Sequence, residues 1–197
     1  MDYRIIFLMV IAYLLGSIPF GVLVTKAKGI DLKSAGSRNI GATNVLRTAG
    51  KLPALITLLG DFLKGAVALL LCSAVLEGEL WEAITGISVV LGHIYPIFLS
   101  FKGGKGVATG FGVLAVYSPL ELVIILIIWL ATALWTRYSS LAAILSYGAL
   151  PIVSLLLNAT WIKLTFVIII TYLIILNHRD NIKRLLKGRE SKIGEMR

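Results

Sequence analysis

Apolar positions in this chain come in long runs. They show neither the alternation of a half-buried strand nor the narrow stripe of a surface helix. The runs fall at 4–25, 53–76, 81–101, 106–118, 120–136, 139–157 and 161–176. Runs of this kind predict membrane-spanning helices, because a hydrocarbon core ~30 Å thick takes about 20 residues at ~1.5 Å each. The fourth and fifth are short. Together they cover 31 residues, 106–136, or about 46 Å of helix, less than two full crossings. "YSPLE" at 117–121 reads as a turn broken by Pro119, so two passes follow if one is short and shielded by its neighbours. Pro19, Pro96 and Pro151 stand where they can kink their helices. The first run is long, and no A-x-A site follows it, so it reads as a spanning helix and not as a cleaved signal.

Charge decides between six and seven spans. Segment 26–51 carries Lys26, Lys28, Lys33, Arg38, Arg47 and Lys51 against one acid, Asp31. Lys102, Lys105 and Arg137 fall in later loops, and the tail from Asn177 carries seven more basic residues. Segment 77–82, "EGELWE", is purely acidic. Seven spans, with the N-terminus outside and the C-terminus cytoplasmic, put 16 of the 19 Lys and Arg residues on the cytoplasmic side. Six spans would split the basic segments between the two faces. The predicted fold is all-α: a polytopic integral membrane helix bundle, one domain over 1–197, with cytoplasmic motif segments at 29–50, 100–110 and 177–194.

Composition agrees. Hydrophobic residues make up 58% of the chain, against roughly 45–50% in soluble domains. The single cysteine, Cys72, excludes an internal disulfide, and with His93 and His178 far apart no metal site is expected. The net charge of +9 is accounted for by orienting loops, so no nucleic-acid partner is expected.

The unusual polar sequence collects in the three motif segments. In 29–50, Ser37, Arg38, Asn39, Thr43, Asn44 and Arg47 supply hydroxyl, amide and guanidinium donors, with Gly36 and Gly41 permitting tight turns. Such donors suit an oxyanion with several acceptor atoms, such as phosphate, although a solvated basic loop on a membrane surface would also hold them. In "SFKGGKGVATG" at 100–110, Gly103, Gly104 and Gly106 surround Lys105 just before a predicted helix start. Glycines free to turn their amides, a helix N-terminus and a lysine together suit a phosphate; a tight interhelical turn is the plainer alternative. The segment is not a Walker A loop, because Leu99 stands where the first glycine is needed and Gly106 follows the lysine, so nucleotide hydrolysis is not indicated. In the third segment, His178 and Asn181 lie three apart, on one face if a helix continues. Asp61 and Lys64, inside the second run, have the spacing of an ion pair. With His93, they read as support beneath a site.

Taken in order, "GSIPFG" at 16–21, "GSRNIGATNVLRTAG" at 36–50, "DFLKG" at 61–65, "GHIYPIFLSFKGGKGVATG" at 92–110 and "NHRDNIKRLLKGRESKIG" at 177–194 resemble the bacterial acyl-phosphate-dependent glycerol-3-phosphate acyltransferase family (PlsY). The resemblance runs nearly end to end. It implies an enzyme of the bacterial cytoplasmic membrane that transfers a fatty acyl group from acyl phosphate to the 1-hydroxyl of sn-glycerol 3-phosphate. The products would be lysophosphatidate and phosphate, with no cofactor; membrane lipid would be the other partner. It further implies catalytic roles for Ser37, Arg47, Lys105, His178 and Asn181, a glycerol 3-phosphate loop at Gly103–Gly106, and a structural role for Glu190. The H-x-x-x-x-D pair of many lipid acyltransferases is absent, since Phe98 and Lys183 stand five after the two histidines. The proton acceptor is then either a substrate phosphate oxygen or His178. A phosphate transporter is the competing class, but it needs polar residues through to both faces, and here polarity is one-sided. A structural lipid-binding protein would explain the basic tail but not the two loops.

Overall fold

The computed structural model describes residues 3–195. Its helices are α1 (Tyr3–Ser17), α2 (Phe20–Lys26), α3 (Ala42–Ala49), α4 (Lys51–Val75), α5 (Glu79–Ile94), α6 (Val107–Tyr117), α7 (Pro119–Thr136), α8 (Ser139–Leu156), α9 (Trp161–Leu176) and α10 (Arg179–Leu186). A single 3₁₀ turn, Ile97–Leu99, follows α5. No strand occurs among the described residues. Each apolar run of the sequence becomes helix, and Pro119 begins α7 at the predicted break. Among the described residues, five segments are long and apolar enough to cross a membrane, counting α1 with α2 as one; six are if α9 and α10, bent by 57° at the break between them, count as one span. α6 is a short apolar helix of 11 residues.

The first run is one stretch of sequence but two helices. Proline lacks an amide and clashes with the turn before it, and Pro19 separates α1 from α2. The Ile18 carbonyl, left outside the helical ladder, accepts from Lys64 Nζ at 3.0 Å. Lys64 in turn pairs with Asp61 at 2.8 Å, and both are buried. The helix break therefore supplies a partner that a buried ammonium needs.

Helices pack chiefly α1 on α5, α4 on α6, α7 on α8 and α8 on α9. A core cluster including Leu69, Val89, Leu114, Tyr147, Leu150, Phe166 and Ile170 lies among them. Between helices in lipid, close packing substitutes for the hydrophobic drive, so small residues sit at crossings. A Cβ on Gly65 would run into the Thr109 carbonyl of α6, and one on Gly112 into the Phe62 carbonyl of α4. At the end away from the motif segments, acids are held by hydroxyls. Ser73 donates to Glu82 at 2.7 Å, Ser154 to the buried Glu121 at 2.8 Å, and Thr160 to Glu79.

Gly65→Ala is expected to destabilise the protein by about 1–3 kcal/mol, read as a lower thermal midpoint in detergent. Gly148→Ala, where the added carbon meets open space, is expected to stay within about 0.5 kcal/mol of wild type. Equal midpoints for the two variants would show that the α4–α6 crossing does not depend on glycine.

Candidate active site

The loop between α2 and α3 is organised by one side chain. Asn44, on α3 and 2% exposed, uses its amide nitrogen to donate to the carbonyls of Ala35 (3.1 Å) and Asn39 (2.8 Å). Its Oδ1 accepts from the Ser37 amide at 2.8 Å. These bonds bend 35–39 into a fixed arch in which Arg38 adopts left-handed geometry, φ 59°. Asn39 Oδ1 accepts from the Gly41 amide at 2.9 Å. Thr43 shares a hydrogen bond of 3.0 Å with Ser139 at the start of α8. The sequence reading gives Thr43 and Asn44 to phosphate; in the structure both are engaged within the protein, and Asn44 shapes the loop that presents Ser37 and Arg38.

The glycine loop lies on the end of α5. The Gly103 amide donates to the Ile94 carbonyl (3.1 Å) and the Gly104 amide to the His93 carbonyl (3.0 Å). A Cβ on Gly103 would meet Pro96 and the His93 carbonyl; one on Gly104 would meet the His93 imidazole. The sequence reading has these glycines turning their amides to an anion. Their amides cap α5 instead, and what the missing Cβ atoms allow is the close approach to His93. The left-handed turn falls at Gly106, φ 85°, where α6 begins without a side-chain cap, so its first amides have no side-chain acceptor there.

His93 is the floor of this loop. Its Nδ1 lies 3.1 Å from Thr109 Oγ1 and 3.5 Å from Asp61 Oδ1. With Lys64 and the Ile18 carbonyl, these groups form one buried polar chain beneath the loop. Paired and hydrogen-bonded, such charges are tolerable at depth; unpaired, each would cost several kcal/mol.

The third segment closes the arrangement. α10 follows α9 after a bend, with His178 as its N-cap. Lys105 Nζ donates to Asn181 Oδ1. Asn181 Nδ2 donates to Glu190 Oε1 at 2.6 Å, as does Ser140 Oγ of α8 at 2.8 Å, and Arg184 Nε donates to Oε2 at 2.7 Å. Burial works to raise the Glu190 carboxyl. The three donors overcome it and hold that group below its ordinary value. Burial brings Lys105 down to about 8, against the pull of Glu190 and with help from Arg184 and Arg47. His178, 2% exposed, is brought down to about 4 by burial and then by the Lys105 charge. Its Nδ1 lies 2.8 Å from the Ile174 carbonyl. A carbonyl only accepts, so Nδ1 carries the proton and Nε2 keeps its lone pair. Arg47 donates to the Ser191 and Lys192 carbonyls at 3.0 and 3.2 Å, tying the tail across α3.

Ser37, Arg38, Asn39, Gly103, Gly104, Lys105, Asn177, Asp180, Asn181 and Arg184 line one polar cleft of about 210 Å³. The three sequence segments thus meet in one place. Arg47, Thr43, Asn44, Gly106 and His178 are not among its lining residues. Asn177, Asp180 and Arg184 escape the sequence reading, although Asn177 and Arg184 stand four before and three after Asn181, and Asp180 stands four before Arg184. Ser140 carries no such signal, since only folding brings α8 against the tail.

A family model described as glycerol-3-phosphate acyltransferase matches residues 6–188. A relative from Geotalea daltonii, named glycerol-3-phosphate acyltransferase, is 46% identical over 186 residues, covering 94% of this chain and 96% of its own. One of the same name from Halorhodospira halophila is 45% identical over 190 residues, covering 96% of each. The crystal structure of PlsY (YgiH), an integral membrane glycerol 3-phosphate acyltransferase, in its glycerol 3-phosphate form superposes with a TM-score of 0.92 at 42% identity, covering 97% of this chain and 96% of that one. Its lysophosphatidic acid form gives a TM-score of 0.90 with the same identity and coverage. The apolar helices agree with that likeness in describing a multi-pass membrane protein. With near-complete coverage, close sequence identity and the same helical bundle, this chain belongs to the glycerol-3-phosphate acyltransferase family.

Proposed function

We propose that this protein transfers a fatty acyl group from acyl phosphate to the 1-hydroxyl of sn-glycerol 3-phosphate, releasing lysophosphatidate and inorganic phosphate. The observation that carries the reading is the convergence of three motif segments on one cleft lined by Lys105, Arg38 and Arg184. Two phosphate-bearing substrates repel each other, and fixed cations in a partly dehydrated cleft offset that repulsion. Relatives named for this activity and a neighbour solved with glycerol 3-phosphate support the acceptor. The acyl phosphate donor rests on the resemblance of the ordered motifs.

In this reading Lys105 receives the acceptor phosphate with the start of α6 next to it in the chain, Ser37, Arg38 and Asn39 serve the phosphates from the first segment, and Arg47 adds positive charge from outside the cleft lining. Asn181 and His178 complete the site, and Asn44 and Thr43 hold its walls. Asp61, Lys64 and His93 support the glycine loop from below. The acyl chain stays in lipid. Ile97, Phe98 and Phe101, exposed on the segment that leads into the glycine loop, offer it an apolar surface. The whole chain acts as one domain of the bacterial cytoplasmic membrane. It has seven spans, with α6 and α9 as the shorter crossings, and its basic end, tail and cleft face the cytoplasm.

The acceptor oxygen attacks the acyl carbonyl carbon, the acyl carbon–oxygen bond to phosphate breaks, and phosphate departs with that electron pair. The hydroxyl proton has two candidate acceptors. His178 Nε2 has the lone pair, but a group at about 4 is a poor proton holder near neutrality. A phosphate monoester oxygen, with a second pKa of ~6, is better. The proton therefore goes to a substrate phosphate oxygen, and His178, outside the cleft lining, acts on the site through its neighbour Lys105.

Purified protein in detergent, given glycerol 3-phosphate and palmitoyl phosphate, is expected to release phosphate and form lysophosphatidate. Turnover with acyl-CoA or acyl carrier protein alone would overturn the donor, and turnover with none of the three would remove the enzyme reading.

His178→Ala is expected to lower kcat by less than about 100-fold, with the acid limb of the pH profile unmoved. A loss beyond about 10⁴-fold with substrate binding intact would assign the base to His178.

In Gly104→Ala the new methyl meets the His93 ring, and the loop must shift. Its KM for glycerol 3-phosphate is expected to rise about tenfold, a loss of ~1.4 kcal/mol, and more than its KM for palmitoyl phosphate. A larger rise for the donor would reverse the assignment of the loop.

A further inference from the structure

Glu190 lies outside the cleft lining, in the segment after α10, yet it is one step from the cation at the centre. Its Oε1 accepts from both Asn181 Nδ2 and Ser140 Oγ, and its Oε2 from Arg184 Nε. An amide side chain has one donating and one accepting end. With the Asn181 nitrogen taken by Glu190, its oxygen must face the other way, onto Lys105 Nζ. Were the amide reversed, its N–H groups would point at an ammonium and its oxygen at a carboxylate, repulsive on both sides. A tail that merely needed anchoring would not require this order. Arg47 and Arg137 already tie the tail down through the carbonyls of Ser191, Lys192 and Ile193.

We infer that Glu190 is a positioning residue: it locks the Asn181 amide with its oxygen toward Lys105, and so keeps the Lys105 ammonium charged and held at the cleft. The inference rests on the acceptor reading above for its kinetic consequence but not for its physical content. The charges that act on Lys105 are Glu190 and Asp180, which favour its charged form, and Arg184 and Arg47, which oppose it; the neighbouring His178 is neutral near pH 7. Removing the Glu190 charge leaves burial, Arg184 and Arg47 opposed only by Asp180. The sign follows. The midpoint of Lys105 moves down, and the site loses its cation at a lower pH than in wild type.

The test is Glu190→Gln, which keeps the shape and removes the charge. The rate of acetylation at Lys105 is followed by mass spectrometry from pH 6 to 10, with glycerol 3-phosphate KM over the same range and the thermal midpoint as a check of folding. The Lys105 labelling midpoint is expected to fall, and the KM to rise about tenfold at pH 8 with a smaller change at pH 6.5. A folded Glu190→Gln protein with an unmoved labelling midpoint would overturn the inference. So would a KM rise equal at all pH values, since that is what a slackened tail would give. If Glu190→Gln does not accumulate, Ser140→Ala decides. It removes one donor from the same carboxylate oxygen and is expected to raise KM about threefold at pH 8. An unchanged KM there would overturn the inference. Labelling needs no turnover, so an inactive wild-type protein would refute the acyltransfer reading while Lys105 still reports on Glu190.

Discussion

The glycine loop lies where it does because nothing larger than hydrogen separates its backbone from the end of α5. Gly103 and Gly104 rest on Pro96 and the His93 ring, and their amides satisfy the carbonyls of Ile94 and His93. That contact sets the height of Lys105 and the start of α6, and through Lys105 the position of Asn181 and the tail. His93 can serve as a floor only if it is itself held, which Thr109 and Asp61 do from α6 and α4. Asp61 needs Lys64, and Lys64 needs the Ile18 carbonyl at the break before Pro19. A helix break in the first run thus supports a loop more than eighty residues later in the chain.

The same structure answers a harder electrostatic demand. A site for anions at the edge of hydrocarbon must keep cations dehydrated enough to act, yet charged. Lys105 meets the first condition by burial, at the cost of a proton affinity reduced to about 8. Glu190 offsets part of that cost from one residue away, leaving the cation free to meet a ligand. A carboxylate in direct contact would have quenched it. Arg47 and Arg184 add positive field without crowding the same point.

Much of this was legible in the sequence, for reasons that differ by element. The helices follow from unbroken apolar runs, and the break at Pro119 from a missing amide. The pairing of Asp61 with Lys64 follows from three-residue spacing on a helix, because the partners lie on the same element. The bracing role of Asn44 is not legible, since an asparagine that braces a loop and one that grips phosphate have the same local sequence, and only the fold shows its amide bonded to Ala35, Asn39 and Ser37. The glycines read as a loop from sequence, but that two of their amides go to the carbonyls of α5 does not. Nothing in "GGKG" says that His93, some ten positions earlier, lies directly beneath it. Ser140 gave no signal at all, because its partner Glu190 is fifty positions away.

By itself, then, the sequence determined what depends on neighbours in the chain: apolar helices, their breaks, the one-sided distribution of basic residues, and the three motif segments whose order resembles a single family. Tertiary structure alone decided which groups within those segments face the cleft and which stand behind it. The reason is physical. Hydropathy and turn chemistry act over a few residues, whereas a hydrogen bond's partner, the burial that moves Lys105 and His178, and the clearance left by a glycine depend on atoms brought together from distant parts of the chain.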